Sequence, residues 1–224
     1  MTRLIVWLGG AIFVGALSYC GYSYAFTWSH GGPFSLTNAL VDAVLFSVFA
    51  LHHSLFARDS VKHLMSSIVP APLLRSSYVW LASLLLIAVC ALWQPVGGTM
   101  YGHTGGLAYV HALLQLAGVL IIAQAVRVID PLELAGIRAG SPKSETLQIT
   151  GPYRRVRHPI YSGWLLLTFG AAQMTGDRLI FAGISTIYLL IAMPYEERSL
   201  TLSFGAAYDD YKRRVRYRIV PYVY

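Results

Sequence analysis

Charged side chains are scarce in this chain of 224 residues: they make up 12% of it, against 56% hydrophobic residues and a mean hydropathy of +0.56. Soluble globular domains carry roughly 25% charged residues, so the composition excludes one and points to a membrane protein. Cysteine is scarcer still. Cys20 and Cys90 both sit inside long apolar runs, which excludes a disulfide framework and any metal site with CxxC spacing. Both read as packing residues, and no metal site is predicted. Internal repeats, low-complexity tracts and a separate soluble domain are missing. The segments 27–37 and 96–106 contain no lysine or arginine.

What the chain does have is apolar runs of membrane-crossing length. They fall at 4–26, 38–57, 77–95, 107–129, 160–176 and 179–194, and a helix of about 20 apolar residues, or as few as about 17, crosses the hydrocarbon core. The expected fold class is all-α: a polytopic membrane helical bundle of about six transmembrane helices, or five if only one of the last pair crosses. The first run is longer than the core of a cleavable leader and is expected to stay as a membrane helix. The last two, joined by the tight turn Thr175–Arg178, read as a helical hairpin. Of the 17 basic residues all but Arg178 fall on one side of this arrangement, as the positive-inside rule requires for an even number of spans with both termini cytoplasmic. That topology explains the net charge of +7 and the pI near 9.5 without any nucleic-acid partner.

Several polar residues interrupt the runs. Asp42 lies within the second, where a carboxylate is costly and is either functional or paired. His52 and His53 close that run, but adjacent helical residues point about 100° apart, so they do not share a metal; a hydrogen-bonded role fits them and His111. The glycine-rich outer loops 29–33 and 97–103 are expected only to connect. The segment 127–142 leaves the fourth run through Asp130-Pro131 and reads as an interfacial turn, a linker or one wall of a pocket.

The densest pattern is Gly151 to Gly163, GPYRRVRHPIYSG. Gly151-Pro152 makes a turn, Arg154, Arg155 and Arg157 bring fixed positive charge, and Pro159 suits the first turn of a helix. His158 is thereby placed at a helix start, where unpaired backbone donors favour an anion. Glu196 and Glu197 are expected to end the last helix at the same face. Carboxylates there oppose the helix macrodipole unless they meet a cation.

These motifs, GPYRRVRHPIYSGW, then YEERSL, then FGAAYDDYKRRV and a late Pro221, make the chain resemble the isoprenylcysteine carboxyl methyltransferase superfamily of integral membrane methyltransferases. That family's core reads R-H-P-x-Y-x-G, then E-E, then F-G-x-x-Y-x-x-Y. Upstream, HHSLFARDSVKHLMSSIVPAPLLRSSYV and DPLELAGIRAG are similar to the bacterial methanethiol S-methyltransferase branch, whose corresponding stretch reads D-H-F-E-L-F-G-L-R. This chain has Pro131-Leu132 and Ala135 where that branch has His-Phe and Phe. It also has Ile191-Ala192-Met193-Pro194 where the isoprenylcysteine enzymes carry an arginine before their glutamates.

The resemblance implies S-adenosyl-L-methionine (SAM) as cofactor. It implies a pocket lined by Tyr153, His158, Pro159, Tyr161, Gly163, Glu196 and Glu197, with Tyr208 and Tyr211 on the C-terminal segment. Arg157 and Glu197 are the implied catalytic residues; Arg157, or Arg75, would lower the pKa of a thiol. The chain is then one integral membrane domain over 1–224. Four transmembrane helices occupy 1–129, and 130–224 forms a cofactor-binding helical hairpin with a cytoplasmic linker and tail. The expected reaction is methyl transfer to a small hydrophobic thiol, of the methanethiol to dimethyl sulfide type, in the bacterial cytoplasmic membrane. The acceptor's identity stays open to a prenylcysteine carboxylate or a lipid. The alternatives are a sterol-reductase-like hydride transfer and a non-catalytic relative from nitrogen-oxide metabolism. The partners implied are this acceptor and the bilayer, with no nucleic acid; the oligomeric state is left open.

Overall fold

The structure is a computed structural model that describes residues 2–56, 61, 64, 66–138 and 146–224. Arg58, Lys62 and Lys143 of the charge count, and the 139–142 end of the interfacial segment, lie outside the described residues. The chain forms two compact units. The first comprises Met1–Gly98, Leu132–Gly140 and Thr175–Ile180; the second comprises Thr99–Pro131, Ser141–Met174 and Phe181–Tyr224.

In the first unit, α1 (Thr2–Tyr22) runs into a π-helical turn, Ser23–Thr27, and is followed by α2 (Leu36–Phe56) and α3 (Ala71–Leu92). Close packing of α1 on α3 depends on Gly9, where a Cβ would lie 2.6 Å from Trp80 Nε1. Small residues permit such backbone approach where lipid removes the hydrophobic drive to associate. Cys20 and Cys90 are buried and free, as packing residues should be. Asp42 is fully buried and accepts the Gln94 N–H at 2.8 Å, so it has a structural partner. The His53 ring is hydrogen-bonded to the Tyr78 hydroxyl, and His52 stacks between Phe56 and Tyr78.

The one basic residue that broke the charge count is also accounted for here. Arg178 is buried and donates to the carbonyls of Tyr24 at 2.9 Å and Ala25 at 2.7 Å, in the π-helical turn that follows α1. It fills unmet backbone acceptors, which buried polar groups require. Its neighbour Asp177 accepts the Val96 N–H at 3.0 Å and the Trp93 indole N–H at 3.3 Å, and lies 3.1 Å from His30 Nδ1. The loop 29–33, expected only to connect, is thus tied to buried charge through His30.

The remaining elements are β1 (Thr99–Gly102), α4 (Gly105–Val128), the single turn α5 (Pro131–Leu134), a 3-10 turn at Gly151–Arg154, α6 (Pro159–Phe169), β2 (Gln173–Thr175), α7 (Gly176–Phe204) and α8 (Ala206–Arg214). β1 pairs with β2, a small departure from an all-α chain. Among the described residues five helices are long and apolar enough to cross a membrane: Arg3–Thr27, Leu36–Phe56, Leu73–Leu92, Gly105–Val128 and Gly176–Phe204.

The run expected to span at 160–176 does not make a sixth. At 11 residues α6 is about 16 Å long, far short of the roughly 30 Å hydrocarbon core. It lies antiparallel to α4, with Gly163 against Gly118 and Ile122, and Gly170 against Gln115. The chain then continues as β2, with the Ala172 carbonyl accepting the His103 N–H at 2.9 Å. Helix and strand together return the chain to the start of α4. The sixth run, expected at 179–194, is the 29-residue α7, which passes through Pro194. Glu196 and Glu197 therefore sit inside a helix rather than at its end, and α7 stops at Gly205, whose φ of 51° few other residues tolerate.

Candidate functional site

The site lies in the second unit, at the start of α6. The 3-10 turn at Gly151–Arg154 follows from Gly151, at φ 58°, and Pro152; Pro159 opens α6 with its fixed φ and missing N–H. Between them Arg157 and His158 reach the last third of α7, both meeting Glu197. Glu196 and Glu197 arrive there because α7 runs antiparallel to α6, with the Trp164 indole donating to Ser185 at 2.9 Å farther along.

Glu197 is the hub. Its Oε1 accepts Arg157 Nε at 2.7 Å and lies 3.2 Å from His158 Nε2, while its Oε2 is 3.3 Å from Arg218 Nη2. The other nitrogen of His158, Nδ1, is 3.5 Å from Glu196 Oε2, which also accepts the Tyr161 hydroxyl at 2.7 Å. His158 thus faces a carboxylate at each ring nitrogen. Burial acts to lower its pKa, but Glu196 and Glu197 outweigh burial and raise it above the ordinary value.

This arrangement corrects one expectation. The helix start does not present an uncommitted His158 to an anion. The imidazole is engaged by two glutamates, and the backbone N–H groups of Arg157 and His158 donate to the carbonyls of Tyr217 at 3.0 Å and Arg218 at 2.8 Å. Nor does Arg157 offer an uncommitted charge: besides Glu197 it donates from Nη1 to the carbonyls of Val215 at 2.9 Å and Arg216 at 2.7 Å. Arg75, the other candidate, sits in the first unit and donates to the Glu133 carbonyl at 3.1 Å.

Beside the hub is a cavity lined by Ile129, Leu147, Tyr153, His158, Glu196 and Tyr208, among others. It has a volume of about 190 Å³ and is partly open, smaller than the roughly 300–1,000 Å³ of small-molecule sites. Two polar groups stand out in its lining. The Glu196 side chain remains 49% exposed, and the Tyr208 hydroxyl is buried without any hydrogen-bond partner. Tyr211 differs from its neighbour, since its hydroxyl donates to the Tyr153 carbonyl at 2.8 Å. Both rings pack with Val215 against Leu147, Ile149, Leu200 and Phe204. Leaving a buried hydroxyl unpaired costs about 1–3 kcal/mol, and nothing in the fold repays that cost at Tyr208.

The structure brings together Tyr153, Arg157, His158, Tyr161, Glu196, Glu197, Tyr208 and Tyr211. Gly163 stands apart: a Cβ there would lie 2.6 Å from the Gly118 carbonyl, so it serves the α4–α6 contact and not the cavity. Pro159 is buried beneath the site as the first residue of α6. Ile129 falls in the segment 127–142, one of whose readings was a pocket wall; sequence reasoning missed Arg218 and the segment at Leu147. Leu147 and Ile149 alternate with polar neighbours, a weak signal in a short polar stretch; Arg218 was masked by the basic run around it.

Residues 108–207 match the phospholipid methyltransferase family. Methanethiol S-methyltransferase 2 of Bradyrhizobium diazoefficiens is 34% identical, covering 91% of this chain and 82% of its own. The methanethiol S-methyltransferase of Mycobacterium tuberculosis is 31% identical over 95% of this chain and 94% of its own, and that of Crocosphaera subtropica is 32% identical over 84% and 76%. No solved structure matches. With relatives of this similarity matching nearly end to end, the chain belongs to the methanethiol S-methyltransferase family of integral membrane methyltransferases.

Proposed function

We propose that the cavity of the second unit binds SAM and that the protein methylates a small hydrophobic thiol, methanethiol or a close analogue. The observation that carries this reading is the pairing of an accessible carboxylate, Glu196, with the unpartnered hydroxyl of Tyr208 in one cavity. A cationic amine or sulfonium suits the carboxylate, and a ribose or carboxylate oxygen suits the hydroxyl. SAM, when bound, supplies a methyl group on a positively charged sulfur; the acceptor sulfur forms the new C–S bond as the old one breaks, and the thiol proton passes to solvent. Such a displacement needs in-line positioning more than covalent help from the protein, and positioning alone is worth roughly 7–11 kcal/mol.

The residues divide that work. Glu196 and Tyr208 contact the ligand, with Tyr153 and the apolar Ile129 and Leu147 shaping the cavity. His158 and Tyr161 orient Glu196, while Arg157 fixes Glu197. The acceptor recorded in the names of the relatives is methanethiol, and a small apolar thiol partitions readily into a bilayer, so its delivery needs no polar channel. We place the protein in the bacterial cytoplasmic membrane with both termini and the cavity on the cytoplasmic face. The one-sided basic residues and the return of the chain through α6 and β2 support that topology.

The test is titration of the detergent-purified protein with SAM, followed by incubation with labelled SAM and a panel of methanethiol, larger thiols, prenylcysteine and lipid amines. Saturable SAM binding and release of a volatile labelled thioether are expected. Failure to bind SAM, or transfer only to the prenylcysteine or lipid, overturns the proposal.

A further inference from the structure

The segment after α8 does more than trail away. Residues 215–219 wrap the start of α6: the carbonyls of Val215 and Arg216 accept Arg157 Nη1, those of Tyr217 and Arg218 accept the N–H groups of Arg157 and His158, and that of Ile219 accepts the Ser162 hydroxyl. The chain then doubles back. Tyr222 has φ 66°, a left-handed conformation uncommon for any residue with a side chain and held only where its surroundings over-determine it. That bend brings Tyr224 onto Arg218. The N–H groups of Arg218, Ile219 and Val220 converge on one main-chain oxygen of Tyr224 at 2.9, 2.9 and 3.0 Å. The Tyr224 hydroxyl accepts Arg218 Nη1 at 2.8 Å, with the guanidinium 5.4 Å from the ring centroid. The opposite arm of the same guanidinium, Nη2, reaches Glu197 Oε2 at 3.3 Å.

A planar guanidinium held at one end delivers its other end in a fixed direction. Glu197 has two oxygens: Arg157 and His158 occupy the first, and Arg218 the second. Without Arg218, the second oxygen is free to rotate and to compete for His158, whose other nitrogen steadies Glu196 in the cavity. We propose that Arg218, locked by the hook at Tyr224, is a positioning residue that holds Glu197 so that His158 and Glu196 keep the geometry in which the cavity receives its ligand. This inference rests on the reading of the cavity as a SAM site.

The experiment compares Arg218→Gln, Arg218→Lys, Tyr224→Phe and, as a charge control, Arg214→Gln, an exposed residue of α8. Two readouts are taken: SAM affinity, and the titration of the His158 imidazole followed by NMR and assigned with His158→Gln. The groups facing that imidazole are Glu196 and Glu197 of α7, Arg157 and Tyr161 beside it, and Arg218 beyond Glu197. Arg218→Gln and Tyr224→Phe are expected to weaken SAM binding by about tenfold, equivalent to about 1.4 kcal/mol, with Arg218→Lys between them and wild type and Arg214→Gln unchanged. Loss of the Arg218 charge leaves Glu197 a stronger partner for His158, so the imidazole midpoint moves up in Arg218→Gln. Wild-type affinity in both Arg218→Gln and Tyr224→Phe overturns the inference, as does an equal loss in Arg214→Gln. If Arg218→Gln fails to fold, Tyr224→Phe alone decides. If the wild type does not bind SAM, the proposed function fails, and the imidazole titration still decides: an unmoved midpoint in Tyr224→Phe and Arg218→Gln overturns the positioning role.

Discussion

Arg157 Nε and Glu197 Oε1 meet at 2.7 Å across 40 residues of chain, with side chains only 8% and 10% exposed. The pair ties the entry of α6 to the last third of α7, and His158 and Arg218 meet the same carboxylate. A buried pair contributes little over an apolar substitute, yet breaking it strands one charge.

Single replacement is therefore expected to be severe. Arg157→Met or Glu197→Met should each cost about 3–5 kcal/mol, read as a lowered thermal midpoint of the detergent-solubilised protein. The double replacement should recover a large part of that loss, and equal damage from single and double variants would contradict the pairing argument.

His158 sets a pH dependence. Its folded pKa is raised because Glu196 and Glu197 outweigh burial. The stability it contributes is then fully present below its unfolded value of about 6.5 and is lost as pH rises through the raised folded value. Thermal midpoints measured from the acid to the alkaline side of neutrality should fall across that window in the wild type. His158→Gln should flatten this part of the curve; an identical slope in both proteins would remove His158 from the account.

Tyr208→Phe separates fold from ligand. Because the hydroxyl has no partner in the folded chain, its removal should leave thermal stability unchanged or slightly raised. SAM affinity should meanwhile fall about tenfold, or about 1.4 kcal/mol. Tyr211→Phe should show the reverse pattern, since that hydroxyl is already spent on the Tyr153 carbonyl.

Gly163→Val tests the helix crossing. A Cβ at this position would stand 2.6 Å from the Gly118 carbonyl and 2.7 Å from the Ile122 side chain, so α4 and α6 must part. Overpacking of this kind costs about 1–3 kcal/mol, measurable as a lower thermal midpoint. Unchanged stability would mean that the two helices pack differently.

Much of the site was legible before any coordinates. The spacing of His158, Tyr161 and the two glutamates is a local pattern, and their convergence followed from a hairpin of opposed helices. Three things were not legible. Gly163 shares its motif with a residue that lines the cavity, His158, and nothing in the motif separates a glycine needed for a ligand from one needed by a neighbouring helix. Glu196 and Glu197 were expected at a helix end because the last apolar run stops at 194, but α7 continues to Phe204. Arg218 lay within a run of basic residues whose charge already had a topological explanation.

Hydropathy and charge are sums over neighbouring residues, and those sums settled that the chain enters a membrane and roughly where its helices lie. Hydrogen-bond partners 39 to 58 residues apart, such as His158 with Glu197, Arg157 with Val215 and Tyr211 with Tyr153, are not sums of any local property. Packing selected them, by bringing α6, α7 and the returning tail close enough that each buried polar atom had to find its partner in another segment. The length of α6 was decided in the same way: the residues after Gly170 are apolar enough to continue a helix, and β2 formed there because β1 lay alongside to accept its backbone.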